Sequence, residues 1–436
     1  MSRLRDLERR IQRKDARVAV VGLGYVGLPL ALAFSRVGLH VTGIDLDGDK
    51  IAKLSEGDSY IGDVPSSEVA AALDSGRFVP ASGYDGLADI DCIAVCVPTP
   101  LTKTRDPDVS FIVAAVEDIL AHLREGQLIV LGSTTYPGTT HELYRPMLEA
   151  GGLRCGEDFA LAFAPERIDP ANLDYALHQV PKVVGGETPL CTQLATALFD
   201  TVFDRVVPVS SSQAAEMVKL LENTFRMINV GLANETAMIC DRLNLDVWEV
   251  IEAAATKPYG FMKFVPGPGL GGHCIPVDPT YLAWKLRSLN YNARFIELAS
   301  EINTSMPAWV VTRITRLLNQ SQRSVKGARI VLLGMAYKAD VSDDRESPAL
   351  DIFAQLAALG AEVCYHDPWV PEIHIEQTIH KSLALSDAVL RECDLVVITT
   401  AHSQVDYARV ARLAPRVLDT RNATAGVEDA TRVEKL

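Results

Sequence analysis

No stretch of this chain approaches the roughly 20 consecutive apolar residues that a membrane-spanning helix needs, so no membrane segment is expected. The opening, Met1 to Arg17, is charged and lacks the apolar centre of a secretion signal. It reads as a short helix ahead of the first strand. The eight cysteines are scattered, with no Cys-x-x-Cys pair. A disulfide framework is therefore not expected, and a reducing cytoplasm is the expected home. Positive charge is also in short supply. At a formal net charge of −14 the chain lacks the basic face that nucleic acid or an anionic membrane requires, and neither partner is expected. A small anionic ligand stays open, because a local cluster of Lys and Arg suffices to hold one. Short-period repeats are absent, and the first 200 or so residues lack the Tyr-x-x-x-Lys pair of a sugar-nucleotide epimerase. No metal ion is expected.

What is present is an ordinary globular composition, 48% apolar and 22% charged, on a chain too long for one core. Arg17 to Val21 is a β-rich apolar run, a glycine turn follows, Val26 to Val37 has helical apolar spacing that Gly38 stops, and His40 to Asp45 is a second strand. Strand-like runs recur at 91–97 and 127–133, with helical patterns at 110–124 and 138–149. Alternating β and α predicts a parallel sheet with helices on both faces. From Ser211 to about Gln320 the pattern is helical (213–241, 247–255, 281–289, 294–318), interrupted by a Gly/Pro-rich loop at 257–279. The opening pattern then returns at 329–368, and 394–403 parallels 91–100. The expected fold is α/β, two Rossmann-like doubly wound parallel-sheet domains joined by a long helical connector. The expected domains are 1–210, 211–322 and 323–436.

Gly22, Gly24 and Gly27 form Gly-x-Gly-x-x-Gly between a strand and a helix, with Leu23, Tyr25 and Val26 in the intervening positions. Glycine serves there for a tight turn, for backbone approach to a pyrophosphate and for close helix–strand packing. Asp45 ends the second strand at the spacing of the dinucleotide fingerprint. Its carboxylate suits a ribose diol and repels a 2′-phosphate, so NAD is the expected cofactor. Lys50 either reaches the adenosine side or is a solvated surface lysine.

Cys274 stands in Gly-Gly-His-Cys-Ile-Pro-Val-Asp, where Gly271 and Gly272 permit close backbone approach to a ligand. A thiolate can add to an aldehyde, and the thiohemiacetal can lose a hydride to give a thioester that water cleaves. Spacing alone leaves the alternative of a buried, inert cysteine. Lys219 and Asn223 lie four apart on one helical face, and both can donate to a developing oxyanion or to an ordered water. Asp278 either positions a water, tunes the lysine or caps the helix beginning after Pro279. His273 is read as a packing residue.

Together these residues resemble the UDP-glucose/GDP-mannose dehydrogenase family over nearly the whole chain and in the family's motif order. Gly22 to Pro29, Val97 to Pro100, Ser133-Thr134 with Pro137-Gly138, Pro165-Glu166, Lys219, Asn223, the Gly-Gly-x-Cys-x-Pro-x-Asp motif at 271–278, Tyr337-Lys338 and Arg345 to Pro348 carry the resemblance. It implies an N-terminal domain for NAD, a helical connector that forms a homodimer, and a C-terminal domain for the UDP part of a UDP-sugar substrate. It also implies Thr99 and Arg345 at the cofactor, and Thr134 at both the cofactor and the catalytic water. Glu166, followed by Arg167, is implied as an acid or base near the substrate, with Lys219 and Asn223 at the sugar C6 oxygen, Gly271 at the sugar nucleotide and Lys338 at the uridine. Two positions depart from the UDP-glucose pattern: Pro170, preceded by Asp169, stands where a second glutamate is common, and Val277 where lysine is common. The segments 257–287 and 293–307 resemble the branch acting on UDP-N-acetylhexosamines, N-acetylglucosamine foremost. The implied reaction is oxidation of the C6 alcohol to a carboxylate for bacterial surface polysaccharide. Two rival readings are a one-step hydroxyacid dehydrogenase using Lys219 alone and a catalytically silent protein that binds NAD and a UDP-sugar.

Overall fold

The computed structural model describes residues 3–62, 64–102, 106–168, 175–272, 275–375 and 377–436. The chain divides into two compact units, Met1–Glu222 with Thr280–Asn290, and Asn223–Pro279 with Tyr291–Leu436.

In the first unit the N-terminal segment forms helix α1 (Arg3–Gln12), which buries Leu4, Leu7 and Ile11 at helical spacing. Strand β1 (Arg17–Val21), α2 (Gly27–Arg36) and β2 (His40–Ile44) follow as the sequence predicts. Next come α3 (Gly48–Ser55), α4 (Ser66–Asp74), β3 (Phe78–Ala81), β4 (Cys92–Val95), α5 (Ser110–Leu120) and β5 (Leu128–Leu131). The helix expected from 138 begins instead as one π-helical turn, Thr140–Tyr144, before α6 (Arg145–Glu149). Strands β6 (Ala160–Phe163) and β7 (Lys182–Gly186), helix α7 (Pro189–Phe199) and β8 (Val206–Pro208) complete the unit up to α8 (Ser212–Leu243), which continues into the second.

The sheet order is β3-β2-β1-β4-β5-β6-β7-β8. The order reverses between β1 and β4, so their carboxyl ends open the crevice where such sheets bind ligands. All pairs are parallel except β6 with β7. A parallel return needs a crossover, usually a helix, and the described part of 164–181 contains only a single 3-10 turn at Leu177–Gln179. β7 accordingly pairs antiparallel with β6.

The second unit holds the rest of α8 with α9 (Val247–Ala255), the first residues of α10 (Asp278–Ser288) and α11 (Arg294–Gln320). Gly231 lets α8 cross α11 closely: a Cβ there would lie 3.3 Å from the Ala299 Cβ. Asn234 Nδ2 donates to Asn303 Oδ1 at 2.9 Å, and the Gly267 N–H donates to Asn234 Oδ1 at 2.9 Å, which anchors the Gly/Pro-rich loop to the helix pair. Beyond α11 come β9 (Arg329–Leu333), α12 (Pro348–Ala358), β10 (Glu362–His366), the antiparallel hairpin β11 (Glu372–Ile375) and β12 (Thr378–Lys381), α13 (Asp387–Glu392), β13 (Leu395–Ile398), α14 (Tyr407–Leu413), β14 (Val417–Asp419) and β15 (Val433–Lys435). The parallel sheet here runs β10-β9-β13-β14-β15. The return of the opening pattern after 328 is thus a second Rossmann-like fold. Among the described residues no helix is long and apolar enough to cross a membrane.

Candidate functional site

At the glycine turn each residue has a separate job. Gly22 adopts φ +87°, and a Cβ there would stand 2.6 Å from the Cys96 carbonyl oxygen. A Cβ on Gly27 would overlap the Gly22 carbonyl oxygen, so this glycine seats α2 against β1. At Gly24 no atom lies within 4 Å of the Cβ position, which is the open approach a pyrophosphate requires. No side chain caps α2 at Val26; Leu28 N donates to Gly24 O at 3.1 Å and Pro29 carries no N–H, so what the helix start offers an anion is the positive end of its dipole. Tyr25 is exposed.

Asp45 accepts from Leu23 N at 2.9 Å, Asp47 N at 3.0 Å and Lys50 Nζ at 3.4 Å. Lys50 is placed by Asp47, which caps α3. Two carboxylate oxygens offer about four acceptor positions; three are used, and the one that remains, on Oδ1, can accept from a ribose hydroxyl. Tyr60 donates to the Leu23 carbonyl at 2.6 Å. Burial first, then the charges of Asp45 and Asp47, push its phenol far up and keep it a donor. Thr99 is buried, and its carbonyl accepts from Tyr281 Oη at 2.8 Å. Ser133 Oγ donates to Val97 O at 2.7 Å, which fixes the start of the segment bearing half-buried Thr134. The residues present fit a dinucleotide.

Directly after β6, Glu166 is buried, with Oε1 accepting from the N–H groups of Arg167 (2.7 Å) and Ile168 (2.8 Å) and Oε2 from Lys182 Nζ (3.1 Å). Burial alone would raise this carboxyl. The Lys182 charge and the two amides outweigh it and hold the group below the ordinary range. Arg167 is tied by its guanidinium to Glu222 and to the Pro181 carbonyl at 2.7 Å.

Helix α8 presents Glu216, Lys219 and Asn223 in successive turns. Glu216 is 1% exposed and accepts from Gly138 N (2.6 Å), Thr140 N (2.9 Å) and Thr140 Oγ1 (2.6 Å). It holds the turn that follows Thr134. Burial pushes its carboxyl from 4.5 up to about 7, against the pull of those donors. A raised carboxyl contributes stability that is full below pH 4.5, where both states are protonated, and lost as pH rises toward 7, where the folded group ionises as well. We expect the urea-unfolding stability of the wild type relative to Glu216→Gln to fall by about 2 kcal/mol between pH 5 and 7.5. A constant difference across that range would show that Glu216 stays ionised throughout.

Lys219 is half-buried. Asn223 and Asp278 are both buried, and Asn223 Nδ2 donates to Asp278 Oδ2. Two of the residues singled out in the sequence thus meet. Asp278 also begins α10, so a place in the helix's first turn and a bond to Asn223 coexist. Cys274 and His273 lie outside the described residues, as do Asp169 and Pro170. The glycines before the cysteine pack on the 337–348 segment: Cβ atoms on Gly271 and Gly272 would lie 2.8 and 2.7 Å from Tyr337 side-chain atoms, and Gly272 N donates to Arg345 O at 3.1 Å. The exposed Arg345 side chain grips Asp343 through Nε (2.9 Å) and Nη2 (2.7 Å). Lys338 is half-buried in the same segment.

The second glycine turn differs from the first. Asp367, which follows β10 as Asp45 follows β2, accepts from Met335 N, Ala336 N, Trp369 N, Val370 N and His402 Nε2, the last at 3.0 Å. His402 is fully buried, and its Nδ1 accepts the Asp340 N–H at 3.0 Å, which places the ring proton on Nε2. Burial would raise the Asp367 carboxyl, but these donors hold it down at about 2. This acid has no acceptor position left for a ribose.

Sequence reasoning missed Lys182, Glu216, Tyr60, Tyr281 and Arg421. The Arg421 Nε donates to Thr399 O at 2.8 Å, no described carboxylate forms an ion pair with it, and burial lowers its guanidinium to about 10. Glu216 and Tyr281 lie on helices that the apolar spacing does predict, but nothing in that spacing marks either side chain.

A first Rossmann fold with an open glycine turn and an acid that keeps an acceptor position, followed by a second whose acid is sealed, is the arrangement of a dinucleotide-binding protein with its dinucleotide site in the N-terminal half. The chain belongs to the UDP-glucose/GDP-mannose dehydrogenase family. Residues 16–203 match that family's NAD binding domain, 213–305 its central domain and 331–426 its UDP binding domain. It is 38% identical over 360 residues to a UDP-N-acetyl-D-glucosamine 6-dehydrogenase of Pseudomonas aeruginosa, spanning 82% of this chain and 84% of that one. It is 34% identical to a UDP-N-acetyl-D-mannosamine dehydrogenase of Yersinia pestis, over 89% of this chain and 94% of that one. The solved structure of a UDP-D-ManNAc dehydrogenase from Pyrococcus horikoshii superimposes with a TM-score of 0.88 at 31% identity, covering 96% of this chain and 98% of that chain. The protein is an NAD-dependent nucleotide-sugar dehydrogenase.

Proposed function

We propose that the substrate is a UDP-N-acetylhexosamine, UDP-N-acetyl-D-glucosamine first, whose C6 alcohol is oxidised to the carboxylate through a thioester on Cys274. The observation that carries this reading is the buried Asn223–Asp278 pair, set one turn beyond Lys219 on α8 and four residues after Cys274 in the chain. NAD, held by the glycine turn and Asp45, supplies a hydride acceptor. A water ordered by Thr134 and Asp278 takes the C6 hydroxyl proton as the first hydride leaves. The Cys274 thiolate adds to the aldehyde carbon, and Lys219 and Asn223 donate to the resulting oxyanion. Loss of the second hydride leaves a thioester, and water cleaves it to carboxylate and thiol. Each turnover consumes two NAD and one water. Glu166 faces the substrate as an acceptor, with Arg167 beside it and Gly271 close to the sugar nucleotide. Lys338 and Arg421, which forms no ion pair with a described carboxylate, suit the anionic diphosphate and its uridine, and Arg345 the cofactor side.

Helix α8 exposes Leu221, Phe225, Leu232, Ile239 and Leu243 at spacings of four and seven, a stripe that supports a homodimer through this helix. The seven described cysteines are free thiols, which suits a cytoplasmic enzyme.

The test is NADH formed per limiting substrate, with UDP-N-acetylglucosamine, UDP-N-acetylmannosamine, UDP-N-acetylgalactosamine and UDP-glucose in parallel. Two NADH from UDP-N-acetylglucosamine and little from UDP-glucose is the expected result. The same yield from the mannosamine sugar alone would move the assignment to that substrate, which the relatives in Yersinia pestis and Pyrococcus horikoshii favour. A ratio of one would mean a simple alcohol dehydrogenase and leave Cys274 without a role.

A further inference from the structure

Glu166 owes its position to a residue that no motif marks. Lys182, the first residue of β7, is 3% exposed, and its ammonium stands 3.1 Å from Glu166 Oε2. Its other surroundings are aromatic: the ring centres of Phe199 and Phe203 lie 5.3 and 5.4 Å from Nζ. Both rings come from α7 and the residues just after it, so the antiparallel β7 and its following helix together build the ammonium's socket. On the other side, Glu166 Oε1 is spent on two backbone amides. Counting two acceptor positions per oxygen, the carboxylate keeps one, on the oxygen that Lys182 holds. A cavity of about 10 Å³, room for roughly one water, touches the pair and is also lined by Val26 of the cofactor turn, Cys96 and Gly132.

A buried ion pair is weak evidence for stability, since apolar residues of similar volume often serve as well. Here the pair does something apolar residues cannot do: it leaves one directed carboxylate acceptor beside the cofactor turn. We infer that Lys182 is a positioning residue of the oxidation, holding the Glu166 carboxylate in one orientation and in its charged form for the substrate. This rests on the reading that Glu166 faces the substrate. The other titratable groups near the pair do not compete for that task. The Cys96 thiol is pushed up to about 12, chiefly by burial, and Arg167 is engaged by Glu222. Glu166 therefore acts as a standing acceptor.

A double-mutant cycle on the full chain, with NAD and the nucleotide sugar that turns over, tests this. Lys182→Met should lower kcat about a hundredfold, the cost of misplacing a reacting group by about an ångström, with NAD affinity unchanged. The acid limb of its kcat–pH profile should move toward neutral, because Glu166 loses its main charge partner. Lys182→Arg should recover most of the rate. In the Glu166→Gln background, Lys182→Met should add almost nothing, since the two residues act as one. The double variant also buries no unpaired charge, so it keeps the cycle readable if Lys182→Met alone does not fold. Independent, multiplying losses would overturn the inference, as would a folded Lys182→Met enzyme with wild-type kcat and pH profile. If Glu166→Gln itself turns over normally, the reading of Glu166 fails first, and that result is separate from any result at Lys182.

Discussion

Replacing Cys274 with serine is expected to lower steady-state turnover about a thousandfold or more, on the scale seen when a covalent nucleophile is removed, while NAD still binds. At neutral pH a few per cent of an ordinary thiol is already thiolate, whereas a serine hydroxyl has no comparable anion. The variant should therefore release its first hydride and stall before the second oxidation or the hydrolysis. Rapid mixing with excess NAD should show a fast NADH phase of at most one equivalent, followed by very slow formation. Protein fluorescence titrated with NAD should match the wild type. Full steady-state turnover in the serine enzyme would rule out the thioester.

Two glycines of one turn should lose NAD binding for different reasons when each gains a methyl group, one with a loss of stability and one without. Gly27→Ala places its Cβ on the Gly22 carbonyl oxygen, so the turn or α2 must shift. The cost is expected at about 3 kcal/mol of stability, the upper part of the usual range for overpacking, with loss of NAD binding as a consequence. Gly24→Ala meets no atom of the chain within 4 Å. It should fold with near-wild-type stability and still bind NAD at least about tenfold more weakly, because the methyl group occupies the pyrophosphate's approach. Thermal unfolding and NAD titration of both variants check this. Equal NAD affinity in Gly24→Ala and wild type would show that the pyrophosphate lies elsewhere.

The contrast also shows what can be read from a sequence. Gly22, Gly24, Gly27 and Asp45 are legible because each is a residue type whose backbone or charge has few other reasons to recur at that spacing. The β1-α2-β2 unit and the long α8 are legible through their periodicity. Lys182 is not, because a lysine ahead of Val-Val-Gly-Gly looks like the solvated start of a strand, and only the fold brings Glu166 and two phenylalanines to it. Glu216 is hidden in the same way, one acid among many on a helix whose partner turn lies 76 residues earlier. The reversed direction of β7 had no signal either, since a strand's own residues look the same in either direction, and direction is set by the connection that precedes it. Asp278 is ambiguous in the sequence because its partner Asn223 lies 55 residues earlier in the chain.

Asp45 and Asp367 follow equivalent strands behind equivalent glycine turns, yet one still has an acceptor position and the other has spent all of its own on four amides and a buried histidine. For anyone capturing or labelling the enzyme with immobilised adenine dinucleotides, the two halves are therefore not interchangeable handles. An ADP-ribose-type ligand should saturate at one molecule per chain, and a reporter group attached through it marks the N-terminal half alone.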